Sequence, residues 1–308
     1  MSLRVLAFPG AEGAGARLAA RLGAASCALE SRRFPDGETY LRVVDDVAAC
    51  ELVVVAELRD PDPQLPGLLF LADALRELGA ASVGLVAPYL PYMRQDMRFH
   101  PGEALTSHSF ARLLSGAFAW LVTVNPHLHR VASLDALYTV PCAAVSSAPA
   151  ISAWVRAHVA RPCIVGPDDE SAQWVSQVAA RAGCPWTVLH KERRGDREVE
   201  LVLPDLTPLQ NKTPVLVDDI VSSAATLAVA ARRLRDVGCE APVCVGVHAV
   251  FAAEAAARLQ VSGAARVVTC NTLKHPSNAI DVTTAMADAV RAVVAALGAP
   301  PATTGCAG

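Results

Sequence analysis

Short apolar runs alternate along the chain with stretches whose apolar residues recur every three or four positions. In the first half, Leu3–Phe8, Leu52–Ala56, Ser82–Ala87 and Leu121–Val124 read as strands, with amphipathic segments at Ala11–Leu22, Leu65–Leu78 and Ala104–Leu114 between them. From Pro149 the rhythm restarts. Pro162–Val165, Trp186–Leu189, Pro214–Val217, Ala241–Ala249 and Arg266–Cys270 read as strands, and Ala150–Val159, Glu170–Arg181, Ala224–Val237 and Phe251–Leu259 as helices. This β-α-β-α alternation predicts two α/β domains, each a mostly parallel sheet flanked by helices. Residues 1–145 and 146–297 are the expected domains, joined near Pro141–Pro149, and 298–308 the expected flexible tail. A weak internal repeat is suggested by polar clusters ending a central strand in each half, Asn125-Pro126-His127 and Asp218-Asp219.

Composition narrows the class of protein. With 53% hydrophobic and 19% charged residues, 308 residues can bury a full core without disulfides or metals. A net charge of −3 without any Lys/Arg-rich stretch argues against nucleic acid as a partner. The nine cysteines (Cys27, Cys50, Cys142, Cys163, Cys184, Cys239, Cys244, Cys270 and Cys306) form no Cys-x-x-Cys pair and mostly sit in apolar runs, as reduced core residues of a cytoplasmic protein do. No run approaches 18 uninterrupted apolar residues, so no membrane partner is expected, and Met-Ser-Leu-Arg leads into a strand rather than a signal peptide.

The densest chemistry lies in Pro214–Thr226, where an apolar strand ends in Asp218 and Asp219 and is followed by Ser222, Ser223, Ala224, Ala225 and Thr226 before a helix closed by Gly238. Open α/β sheets bind ligands at such carboxyl edges. Backbone N–H groups and hydroxyls at the helix start make a seat for a phosphate dianion, and the two carboxylates can accept hydrogen bonds from vicinal ribose hydroxyls. The plainer alternative is that the aspartates cap a helix.

Two first-half segments add groups suited to a nucleotide. Arg33–Tyr40 contains a tight Pro35-Asp36-Gly37 turn flanked by Phe34 and Glu38. Pro88–Phe99 crowds Tyr89, Tyr92, Arg94, Gln95, Asp96 and Arg98 into one loop; aromatic faces suit an adenine and guanidinium forks suit a triphosphate. Other features have bland readings. Gly10–Gly15 lacks dinucleotide-loop spacing and reads as a strand-to-helix turn, and His127 with His129 lacks a third zinc ligand. Lys191–Arg197 reads equally as a solvated charged loop, and Met93 with Met97 as packing.

The segment around Asp218 resembles the phosphoribosyl-pyrophosphate loop of type I phosphoribosyltransferases and ribose-phosphate pyrophosphokinases. The chain as a whole resembles the latter, on the side of their archaeal-type members. Phe34-x-Asp36-Gly37-Glu38 and Tyr89-x-x-Tyr92-x-Arg94-Gln95-Asp96 match two further motifs of that family, in its order. The resemblance implies two tandem phosphoribosyltransferase-like domains that transfer pyrophosphate from Mg-ATP to ribose 5-phosphate, in a homo-oligomer that is a dimer or a multiple of dimers. It implies ATP contacts from Phe34, Asp36 and Glu38 of a neighbouring subunit and from Arg94, Gln95 and Asp96. It also implies Mg²⁺ near His127 and Asp168, ribose 5-phosphate on the Asp218–Thr226 loop, and catalytic charge stabilisation by Lys191 and Arg193. The sequence departs from the family pattern at Ala224-Ala225, which stand where glycines are usual, at Asn125 for Asp, at Glu170-Ser171 for Gly-Gly and at Glu192 for a basic residue. Because alanine tolerates positive φ poorly, the loop is expected to keep helical dihedrals or to bind phosphate differently. Two other functions stay open at this level: a catalytically weak, synthetase-like regulatory protein, and a phosphoribosyltransferase.

Overall fold

A computed structural model describes residues 2–128, 130–194, 198–202 and 205–298, with backbone alone for 191–194 and 198–202. His129, residues 195–197 and 203–204, and the expected tail from 299 onward, including Cys306, lie outside the described residues.

The first half contains β1 (Leu3–Ala7), α1 (Glu12–Leu22), β2 (Ala25–Cys27), β3 (Leu29–Arg33), β4 (Thr39–Val43), β5 (Glu51–Val55), α2 (Leu65–Glu77), β6 (Ser82–Val86), α3 (Thr106–Ala117), β7 (Leu121–Val124) and β8 (Cys142–Val145). The second contains α4 (Ala148–His158), β9 (Pro162–Gly166), α5 (Ala172–Ala182), β10 (Trp186–Val188), β11 (His190–Arg194), β12 (Glu198–Val202), β13 (Thr213–Val221), α6 (Ala225–Asp236), β14 (Val243–Ala249), α7 (Ala255–Val261), β15 (Arg266–Cys270), β16 (Asn278–Ile280) and α8 (Thr283–Gly298). Each half builds a six-stranded, wholly parallel sheet, ordered β2-β1-β5-β6-β7-β8 and β10-β9-β13-β14-β15-β16, plus a two-stranded antiparallel hairpin, β3–β4 or β11–β12.

Burial on both faces explains the apolar runs. Leu52 and Val54 face Leu68, Leu71 and Leu75 of α2, whereas Val53 and Val55 face the seam between the halves. There Val5, Val122 and Val124 join Ile164, Val215 and Val245 in one continuous core. Helix α4, which follows the last strand of the first sheet, packs on α5 of the second half. Helix α8, which follows the last strand of the second sheet, packs back on α1, β7 and β8 of the first. Close approaches depend on glycine: a Cβ on Gly84 would lie 1.8 Å from Trp120 Cε2, and one on Gly15 would lie 2.8 Å from Ala7 Cβ.

The internal repeat is present, but it pairs different segments from those expected. Val5 pairs with Val53 and Ile164 with Val215, all four in the seam, so the end of β5 matches the end of β13 and Glu57 takes the place of Asp219. The counterpart of Asn125 is Asn271. Each follows a similar strand, Leu-Val-Thr-Val before Asn125 and Val-Val-Thr-Cys before Asn271. Asn125 N–H donates to Val145 O at 2.9 Å and its Oδ1 accepts from Ser147 N at 2.6 Å; Asn271 makes the same pair with Ile280 O at 3.0 Å and Val282 N at 2.9 Å.

Several boundaries differ from the sequence pattern for local reasons. Strand β13 does not stop at the carboxylates but runs on to Val221. Helix α7 begins at Ala255 because Phe251 N–H bonds Val221 O at 2.8 Å and its ring stacks on His275 at 4.3 Å. Helix α8, the edge strands β2, β8 and β16, and the strands of both hairpins lie outside the predicted elements. Met93 is buried as expected, while Met97 is 39% exposed and is not core packing. Five of the eight described cysteines are buried and none is disulfide-bonded. Among the described residues no helix is long and apolar enough to cross a membrane.

Candidate active site

The two halves leave between them a cleft of about 740 Å³. Its floor is the carboxyl end of β13 with Asp218 and Asp219. One wall is the segment after β7, with Asn125, His127 and Arg130; the other is the turn after β9 and the start of α5, with Asp168, Glu170, Ser171 and Trp174. Each of these is the end of a parallel strand, the place where backbone groups and side chains are free of the ladder and can face a ligand.

His127 Nδ1 lies 2.6 Å from Asp219 Oδ2, with 22% and 29% of the two side chains exposed. Burial alone would push the Asp219 carboxyl up. The hydrogen bond and charge of His127 lead the effects that outweigh it and hold that carboxyl below the ordinary aspartate value. Asp218 moves the other way, raised first by burial and then by the charge of Asp219, although its Oδ1 accepts Asp219 N–H at 3.0 Å. Asp218 therefore holds a proton more readily than Asp219, and the pair favours a single negative charge, placed on Asp219 against His127. Asp168 caps the short 3₁₀ turn at Asp169–Ser171, its Oδ1 accepting from Ser171 N at 3.3 Å. Asn125 has φ +38, a left-handed conformation that asparagine tolerates, and its side chain is committed to the start of α4.

The loop after β13 adopts the conformation that alanine resists. Ala224 has φ +57 and ψ 16 and is buried, so the residue that stands for a usual glycine takes up glycine's backbone and bears the strain. Ala225 begins α6 and Ser223 Oγ accepts its N–H at 3.4 Å; Ser223 and Thr226 are exposed. Ser222 to Thr226 sit beside the cleft, whose lining on this strand is Asp218 and Asp219 alone.

The expected nucleotide groups are not gathered there. Phe34, Asp36 and Glu38 lie at the tip of the β3–β4 hairpin, held by Phe34 N–H to Glu38 O at 2.8 Å and by Gly37 at φ +93. Phe34 is 39% exposed, and the Arg32 guanidinium stands 4.4 Å from both the Phe34 and Tyr40 ring centroids. Neither tyrosine of the Pro88–Phe99 loop presents an open face: Tyr89 packs on His248 at 5.0 Å and Tyr92 on Phe110 at 4.8 Å. Arg94 is exposed, and its charge is felt at both Tyr89 and His248. Gln95 Oε1 accepts from Thr106 Oγ1 at 3.1 Å. Asp96 has only 1% of its side chain exposed and holds Arg130 of the cleft wall at 3.1 Å.

Lys191 and Arg193 belong to β11, opposite Leu201 and Val199 of β12, and their side chains lie outside the described residues. The strand is tethered at the cleft by His190, whose Nδ1 lies 2.5 Å from Asp169 Oδ1. Sequence reasoning missed Arg130, Glu170, Trp174 and His248. The last is buried, its Nε2 3.3 Å from Asn125 O and its Nδ1 3.0 Å from Thr272 Oγ1, so it ties the two Asn-ended strands together. The hydropathy of β14 reads as plain core and gives no signal of that role.

Two parallel sheets facing across a cleft, one ending in paired aspartates before a helix start, define a tandem protein of the phosphoribosyltransferase type. The phosphoribosyl transferase domain family matches residues 146–285, and the N-terminal domain of ribose phosphate pyrophosphokinase matches residues 3–117. The ribose-phosphate pyrophosphokinase of Methanopyrus kandleri is 34% identical over 278 residues, covering 90% of this chain and 94% of that protein. That of Methanothermobacter thermautotrophicus is 34% identical over 266 residues, covering 86% and 92%. A crystal structure of phosphoribosylpyrophosphate synthetase from Mycobacterium smegmatis has the same fold, with a TM-score of 0.84 at 24% identity over 96% of this chain and all of that one. The chain belongs to the ribose-phosphate pyrophosphokinase family.

Proposed function

We propose that the chain transfers the pyrophosphoryl group of ATP to the 1-hydroxyl of ribose 5-phosphate. The hydroxyl oxygen attacks the β-phosphorus, the bond from that phosphorus to the α–β bridging oxygen breaks, and AMP leaves. The observation that supports this most is the meeting of His127, Asp168 and Asp219 in one cleft between the halves. Such transfers need alignment and charge neutralisation more than covalent help from the protein.

In this reading residues 1–145 form the ATP side and 146–297 the ribose 5-phosphate side. Asp218 and Asp219 accept hydrogen bonds from the ribose hydroxyls, and Ser222, Ser223 and Thr226 with the α6 N–H groups seat the 5-phosphate. Arg94 and Gln95 hold the nucleotide, with Asp96 acting through Arg130. Phe34, Asp36 and Glu38 reach an adenine from the hairpin of a second copy in a homo-oligomer. Lys191 and Arg193 stabilise charge as it moves between oxygens.

The donor set fits Mg²⁺. The carboxylates are hard oxygen ligands, and the raised Asp218 marks negative charge that a cation would relieve. Among the described residues no three such groups converge to enclose a bare ion, which suits a cation that keeps waters and arrives on phosphate oxygens. Held by Asp168, and by His127 through water, Mg²⁺ would supply neutralisation of the phosphate charge. The protein works in the cytoplasm without nucleic acid or membrane. Phosphorus NMR of the purified chain with ATP, Mg²⁺ and ribose 5-phosphate tests the proposal: AMP and a new pyrophosphoryl sugar should appear together. Tight binding without turnover would replace the reading with a regulatory one.

A further inference from the structure

The internal repeat creates a second cleft, on the opposite side of the seam, of about 480 Å³. It is built from the elements that correspond to those of the first. The turn after β1 and the start of α1 replace the turn after β9 and the start of α5. The end of β5 replaces the end of β13, and the segment after β15 replaces the segment after β7.

The chemistry has changed in one direction. Where the first cleft has Asp219, the second has Glu57, and the preceding position, Asp218 in the first, is the buried Ala56. The turn after β1, Phe8 to Ala11, has no carboxylate where the first cleft has Asp168. The segment after Asn271 brings Lys274 where the segment after Asn125 brings His127. The groups proposed above for a divalent cation are therefore lost. In their place come two cations, Arg17 and Lys274, both exposed in the cleft and neither with a side-chain hydrogen bond or ion pair among the described residues. Arg17 Nη1 folds over the first turn of α1, 3.4 Å from where a Cβ on Gly13 would stand.

The acidic groups present are already shaped. Glu57 Oε2 accepts Lys274 N–H at 2.6 Å and Arg59 Nη2 donates to Lys274 O at 2.7 Å, so the two halves are clasped and the carboxylate is fixed. Asp281 accepts from Asn271 Nδ2 at 2.7 Å and pairs with Arg21 at 3.8 Å. A rigid carboxylate is an acceptor for hydroxyl groups, and two cations lining the same cleft, whose charges are felt at Glu57, are a receptor for a dianion.

We infer that the second cleft is a metal-independent site for a phosphorylated sugar, the phosphate on Arg17 and Lys274 and the hydroxyls toward Glu57. The site goes beyond the proposed reaction, none of whose groups lines the second cleft.

Isothermal titration of the full chain with ribose 5-phosphate in excess EDTA tests it. One equivalent should bind without metal. Arg17→Glu and Lys274→Glu should each weaken that binding by about tenfold or more, as loss of a charge-assisted contact does. Asp219→Asn, which removes an acceptor from the first cleft only, should still leave one metal-free equivalent bound, and inorganic phosphate should bind at least about tenfold more weakly. Absence of metal-free binding, loss in Asp219→Asn but not in the two cation variants, or equal affinity for phosphate would each overturn the inference. Thermal melting of the variants separates a lost site from a lost fold. Failure of turnover with Mg²⁺ would count against the proposed reaction and leave this result standing.

Discussion

His127 and Asp219, 92 positions apart in sequence, meet through Nδ1 and Oδ2 at 2.6 Å across the seam between the two sheets. This contact makes the candidate site a property of both halves. Replacing Asp219 with Asn should remove the anchor of His127 and a ribose acceptor together. Affinity for ribose 5-phosphate should fall by about 1–3 kcal/mol, and turnover with it. Titration calorimetry with Mg²⁺ present and the NMR assay measure the two effects; unchanged sugar affinity would remove Asp219 from its proposed role.

Ala224 sits at φ +57, which costs a residue with a Cβ roughly 1–2 kcal/mol relative to glycine. Glycine in the unfolded chain returns roughly half to one kcal/mol of that difference as added entropy. Ala224→Gly should therefore be neutral or stabilising by up to about 1 kcal/mol, while Ala224→Val should destabilise the protein. Urea denaturation of the pair decides this, and a clear loss of stability in the glycine variant would refute strain at the loop.

His248 is buried and its imidazole is lowered to about 4, by burial first, against the opposing pull of the hydrogen bond to Asn125 O and the charge of Asp219. A group that is neutral when folded and takes up a proton more readily when unfolded contributes stability that is complete above the ordinary histidine value. That contribution is lost as pH falls from about 6.5 toward about 4, at roughly 1.4 kcal/mol per pH unit. The acid loss should be shallower in His248→Leu than in the parent. Urea melts at several pH values give the two slopes, and parallel slopes would exclude the effect.

A Cβ at Gly84 would meet Trp120 Cε2 at 1.8 Å. The indole is fully buried and donates through Nε1 to Glu51 Oε1 at 3.1 Å, so it has no free direction of retreat. Gly84→Ala should cost at least about 1–3 kcal/mol and should depress the melting temperature without changing the chemistry of the cleft. A melting temperature equal to that of the parent would show that the indole can move.

The local pattern of the chain dictates much of this molecule. Runs such as Leu52–Val55 can only be central parallel strands, because both faces are apolar. Gly238, at φ +83, closes α6 as its position after the last periodic residue predicts, and the Pro35-Asp36-Gly37 turn is the tip of a hairpin. The adjacent carboxylates and hydroxyls of Asp218–Thr226 were visible for the same reason: one short segment contains them all. The strands of both hairpins were not, since Leu29–Arg33 and His190–Arg194 are too polar to show an apolar face. Nine of the sixteen residues of helix α8 are alanine or valine and only Asp288 and Arg291 are charged, and a helix with so little polar face has no readable period.

What the sequence by itself determined is the set of strands, helices and motif residues, since propensity and periodicity act within a few positions. Only the tertiary structure decided that α8 crosses to the first half, that Asp96 serves Arg130, and that His127 reaches Asp219 while His248 braces Asn125. It also decided that Glu57, not Asn125, answers to Asp219. These are contacts between residues far apart in the chain, selected by how two apolar sheet faces fit together. No local pattern carries that information, because the energy that chooses among such pairings exists only once both faces are buried.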